Sequence, residues 1–101
     1  MTDNESSIPI ACQLGPADRD QRVDDWRAVA GLAARRERTA TGETLHFERD
    51  GELAARLAAL AVAETDCCRF FRIAVVADDR ELRLEIEAPA EAHSVLDALF
   101  R

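Results

Sequence analysis

IAVVADDRELRLEIEA, residues 73–88, reads as two strands joined by a tight turn at Asp78-Asp79-Arg80. In the second strand Leu82, Leu84 and Ile86 fall on one face, and Glu81, Arg83, Glu85 and Glu87 on the other. A strand with one apolar and one charged face needs cover on one side only. Working upstream, the run from about Glu52 to Arg72 carries helical spacing, and Thr44-Leu-His-Phe-Glu48 alternates as a half-buried strand. Before it, a helix opens at Pro16 and runs through Arg38. Val23, Trp26, Val29, Ala30 and Ala33 form its buried stripe. Asp18 and Asp20 lie near its start and Arg35, Arg36 and Arg38 near its end, the order that the helix dipole favours. Ile10, Cys12 and Leu14 alternate in a short first strand from Ile8. Downstream, Pro89 opens a closing helix with Val95, Leu96 and Leu99 inward. The expected fold class is α/β (α+β), a two-layer sandwich in the order β-α-β-α-β-β-α. Its helices cover one face of a four-stranded mixed or mainly antiparallel sheet.

A chain of 101 residues holds one core, so residues 8–101 read as a single domain behind a mobile polar tail, residues 1–7. Acidic residues outnumber basic ones 20 to 13, for a net charge of −7. That balance argues against direct nucleic-acid binding and against docking on an anionic membrane. All 13 basic residues are arginine, which reads as a coding bias. No apolar run reaches the roughly 18 residues of a membrane span. The opening MTDNESSIPI is acidic where a secretory signal is basic, so the expected location is cytoplasmic. Three cysteines, two of them adjacent, do not suit a disulfide framework.

The chemistry centres on Ala63-Glu-Thr-Asp-Cys-Cys-Arg-Phe-Phe71. Leu53, Leu57, Leu60, Glu64, Cys67 and Phe71 share one helical face, and Cys68 lies about 100° round from Cys67. Glu64 thus faces the core within reach of both thiols. Cys12 lies on the inner face of the first strand. Unpaired cysteines also serve as small buried hydrophobes, which is the competing reading for all three. Glu64 resists that reading, because an ionised carboxylate in a core needs a partner. An arginine from the first helix would supply one, and a cation bound near the thiols another. A helix C-terminus and a nearby carboxylate disfavour a strongly activated nucleophile. A soft ion deprotonates thiols outright. Cys67, Cys68, Cys12 and Glu64 therefore suit mercury, copper(I), zinc or arsenite, although the C-x-x-C pairs of a structural zinc site are lacking.

Other residues carry less chemistry. His46, on the polar side of its strand, reads as solvated, and His93 as structural. Trp26, Phe47, Phe70, Phe71 and Phe100 read first as core or pocket wall, and Phe70, which turns away from the main stripe, has a second reading as an exposed contact residue. There is no phosphate-binding glycine loop, no G-x-S-x-G and no distinctive acid pair.

Cys12-Gln-Leu14, Arg22-x-x-x-Trp26, Glu64-x-x-Cys-Cys-x-Phe-Phe71 and Ala88-Pro89 together resemble a group of short bacterial domains. These are similar to stand-alone or C-terminal segments found alongside MerR-like regulators, whose relatives respond to metals. The resemblance covers most of the chain from Ile10 onward and brings no assigned activity. It implies Cys12, Glu64, Cys67 and Cys68 as the positions of interest. The chain lacks the winged helix of such regulators.

Three readings follow. The first is a domain binding a thiophilic ion for sensing, buffering or transfer. The second is a non-catalytic interaction domain with core cysteines, which suits a homodimer formed through a sheet edge or Phe70. Ranked last is a thiol enzyme in which Glu64 moves a proton.

Overall fold

The alternation at residues 73–88 produces a hairpin. Strands β3 (Arg72–Ala77) and β4 (Leu82–Glu87) pair antiparallel, with Val75 opposite Leu84. Asp78 shapes the turn: its N–H donates to the Glu81 carbonyl (3.1 Å), and its Oδ1 accepts from the N–H groups of Arg80 (2.8 Å) and Glu81 (2.9 Å). This computed structural model describes the backbone of residues 16–100 and the side chains of residues 20–98. Helix α1 (Pro16–Ala30), strands β1 (Arg35–Arg38) and β2 (Gly42–Phe47) and helix α2 (Gly51–Cys67) precede the hairpin. A 3-10 turn (Ala90–Ala92) and helix α3 (His93–Phe100) follow it.

The four strands form one antiparallel sheet in the order β1-β2-β4-β3. Register sorts the side chains. Glu43, Leu45 and Phe47 of β2 lie opposite Ile86, Leu84 and Leu82 of β4, and all six are buried. Trp26, Val29 and Ala30 of α1, Leu57 and Ala61 of α2, and Leu96 of α3 complete that core. Each large apolar side chain so buried contributes roughly 2 kcal/mol. The opposite face carries Arg35, His46, Arg83 and Val76 in one cross-strand row and Glu37, Thr44, Glu85 and Ala74 in the next. The expected class holds: helices and a four-stranded sheet in two layers, the sheet wholly antiparallel.

Three boundaries differ from expectation. Helix α1 stops at Ala30 rather than Arg38; its end tightens into Leu32 N–H to Val29 O and Ala33 N–H to Ala30 O bonds. Arg35–Arg38 then pair with β2 as an edge strand, so the arginines do not occupy a helix terminus. One of them still serves it, since Arg36 NH2 donates to the Ala30 carbonyl at 3.3 Å. Helix α2 ends at Cys67, not Arg72, with Cys68 as its C-cap in a non-helical conformation. The closing helix is preceded by the separate 3-10 turn. The expected tail 1–7 and the strand Ile8–Leu14, with Cys12, lie outside the described residues.

Gly42 is required where β2 meets β4. A Cβ there would collide with the carbonyl oxygen of Ile86. No described helix is long and apolar enough to cross a membrane.

Candidate functional site

Asp50 starts α2 by accepting at Oδ1 from the N–H groups of Glu52 (2.9 Å) and Leu53 (3.2 Å). From there the apolar stripe carries Leu57 and Ala61 into the core and brings Glu64 to the same side, only 1% exposed. Trp26 Nε1 donates to Glu64 Oε1 at 2.7 Å, and Arg22 NH1 donates to the same oxygen at 3.3 Å. The R-x-x-x-W spacing places both donors one turn apart on α1, so a single carboxylate fastens α1 to α2. A buried acid is tolerable here because both a cation and a neutral donor face it.

Neither Cys67 nor Cys68 is joined in a disulfide. Cys67 ends α2 and is half-buried. Cys68 is 1% exposed, and its N–H donates to the Glu64 carbonyl at 2.7 Å. The Arg22 guanidinium is held above its ordinary pKa: burial opposes its charge, but the Glu64 hydrogen bond and charge, with further contributions from the Cys67 side chain, outweigh that. Arg22 is therefore within electrostatic reach of both the Glu64 carboxylate and the Cys67 thiol. Phe71 is buried just beyond Cys68. For Phe70 the core reading holds over the exposed one. The side chain is half-buried against the core, with its ring centroid 4.5 Å from that of Phe71.

The structure thus brings Glu64 and Cys67 to a common cation, with Cys68 the residue after Cys67; Cys12 lies outside the described residues. Among the described residues, no three His, Cys, Asp or Glu side chains assemble into a group that could hold a metal ion. Among the described residues, two surface depressions, of about 280 and 270 Å³, are lined without any cysteine.

His46 is not solvated. It is 7% exposed on the charged face, with Nε2 2.6 Å from Glu37 Oε1 and Nδ1 3.0 Å from Glu81 Oε2. Arg35 NH2 approaches Nδ1 at 3.3 Å. Hydrogen bonding to His46 holds the Glu37 and Glu81 carboxyls below their usual range, helped by Arg35 and Arg83 respectively. His93 is structural, its Nε2 3.3 Å from the Ala88 carbonyl. Glu43, 2% exposed on the covered face, is a buried acid that the sequence reading missed. The alternation of Leu45 and Phe47, carried two residues upstream, points to it.

Comparison with protein-family models, curated proteins and solved structures gave no match.

Proposed function

We propose that this protein binds a thiophilic ion through Cys67 and Cys68. The observation that carries the reading is the placement of Cys67, followed directly by Cys68, within electrostatic reach of the Arg22 guanidinium, itself anchored on Glu64. Binding a soft ion releases the thiol protons and leaves two negative sulfurs. A fixed arginine offsets that charge. Glu64 acts one step back, orienting Arg22 with Trp26 as the second donor to the same oxygen. With two thiols as the core of the site, ions content with few ligands, such as mercury(II), copper(I) or arsenite, suit it better than tetrahedral zinc. Cys12 would be the third sulfur.

Cys68 is buried, so both sulfurs reach one ion only if the end of α2 opens. Its backbone has already left the helix (φ −121°, ψ 84°), and helix ends open at little cost. The test is native mass spectrometry of the reduced protein with one equivalent of each ion. A one-to-one adduct that disappears in Cys67→Ser/Cys68→Ser, with the fold retained, is expected. Arg22→Gln should weaken it, and Cys12→Ser reports whether the third sulfur contributes. An adduct that survives loss of both thiols, or none in the reduced protein, rejects the proposal.

A further inference from the structure

The two edges of the sheet are unlike. β1 is Arg-Arg-Glu-Arg, four exposed charged residues, which guard an edge against pairing with another chain. β3 carries no charge from Ile73 to Ala77, and among the described residues it pairs only with β4. An uncharged edge of this length is a template for strand addition.

The hairpin shows which backbone groups lie on that edge. The Asp78 N–H donates to the Glu81 carbonyl, so these two form a hydrogen-bonded pair. Bonded and non-bonded pairs alternate along an antiparallel ladder. Counting back through the register, Val76, Ala74 and Arg72 direct their N–H and C=O groups toward β4. Ile73, Val75 and Ala77 direct theirs outward.

We propose that a second copy of this chain pairs antiparallel with the outer edge of β3 about a twofold axis at Val75, joining two four-stranded sheets into one of eight strands. Two separate features select the same register. Val75 meets the partner's Val75, and Ile73 meets the partner's Ala77, so every outward-directed group faces another. The same axis sets Arg72 against the partner's Asp78 at both ends of the pairing, opposite charges in each case. Arg72 is exposed, and its ion pair with Glu87 is long, at 3.4 Å. Asp78 already binds Arg83 at 3.0 Å, and its carboxylate is held down to about 2, first by the Arg80 and Glu81 N–H groups, so it stays charged to accept a second guanidinium.

The helix above does not obstruct this pairing. α1 meets α2 at Glu64 and Cys67, and α2 packs on β3. At 100° per residue, Ala55, Ala58 and Val62 lie on the flank away from α1. Val62 is 64% exposed, and small side chains there let a second helix approach closely.

The test is sedimentation equilibrium from micromolar to millimolar protein, joined to a cross-link. A concentration-dependent monomer–dimer equilibrium is expected. Ala74→Lys/Val76→Lys sets ammonium groups opposite one another across the axis on the uncovered face. It should raise the dissociation constant at least about tenfold, with circular dichroism confirming the fold. In a Cys12→Ser/Cys67→Ser/Cys68→Ser background, Val75→Cys should form a covalent dimer as glutathione disulfide is reduced to two thiols. Bonded cross-strand pairs have Cα atoms about 5.5 Å apart, within disulfide reach. Ala74→Cys, which faces residue 76, should not cross-link. Without its native thiols, this protein reports on pairing independently of ion binding. A monomer at every concentration, its edge covered by the chain's own first residues or by nothing, overturns the proposal. So does a dimer indifferent to the two lysines, or equal cross-linking at positions 74 and 75.

Discussion

Glu64 shows how one side chain joins fold and site. Its Oε1 accepts from Trp26 and Arg22, so truncation strands a buried indole N–H and a part-buried guanidinium together. Glu64→Ala should cost about 3 kcal/mol in urea denaturation, the size expected when one partner of a buried ion pair is removed. Glu64→Gln keeps an acceptor of the same shape and should cost about 1 kcal/mol. Equal losses in the two variants would mean that the carboxylate charge carries the interaction, and neither the acceptor nor the volume does. Gly42 gives a second contrast at this scale. Gly42→Ala drives a Cβ into the Ile86 carbonyl, and rigid backbone can yield only by shifting β2 from β4. A loss of about 2–3 kcal/mol is expected. Gly51→Ala, with nothing within 4 Å of the added carbon, should be neutral or slightly stabilising at the start of α2. The pair separates steric collision from the general effect of replacing glycine.

Among the elements, β1 is held mainly by polar contacts. Arg36 reaches the Ala30 carbonyl, Arg38 binds Asp97 of α3 at 2.7 Å, and Glu37 binds His46, which also meets Glu81. His46→Ala should therefore speed hydrogen exchange at residues 35–38 while leaving the β3–β4 amides protected. Uniform acceleration across the sheet would show that His46 supports the whole fold instead. Acid acts on the same contacts. The folded Glu37, Glu81 and Asp78 carboxyls titrate below their ordinary values, so their contributions are complete above the ordinary carboxylate range and are lost as pH falls through the folded values. The urea midpoint should drop between about pH 5 and pH 2, and Asp78→Asn should shrink the lower part of the drop. A midpoint that stays flat over this range would refute the assignment. These elements also explain what the sequence could reveal. The β3–β4 hairpin was legible because Leu82, Leu84 and Ile86 alternate against charge. β1 was not, because Arg35–Arg38 bury no alternating apolar residues and continue a run of good helix formers. The misreading of His46 follows from that, since part of its cover comes from Glu37 of the unrecognised strand. The inward turn of Glu64 was legible from the stripe on α2. Its Trp26 partner was not, because helix-to-helix placement leaves no periodic signal.

For the molecule as a whole, the question is whether folding prepares the thiols or merely contains them. Adjacent cysteines can take up a soft ion in an unfolded chain as well as in a folded one, so binding alone does not separate the two cases. Linkage does. An ion that binds only the native state, present at a hundred times its dissociation constant, stabilises the fold by about 2.7 kcal/mol. For a domain of this size each kcal/mol moves Tm by about 4–8 °C. Arg22 is brought beside Cys67 only by the packing of α1 on α2, so the native state holds a charge partner that the unfolded chain lacks. The expected outcome is a Tm raised by roughly 10–20 °C in wild type at a hundredfold excess of ion over its dissociation constant and fixed protein concentration. The increment should be smaller in Arg22→Gln and absent in Cys67→Ser/Cys68→Ser. A Tm that falls on adding the ion would mean the unfolded chain binds it better, with Cys68 buried away from it in the native state. The fold would then be concealing the thiol pair, not presenting it.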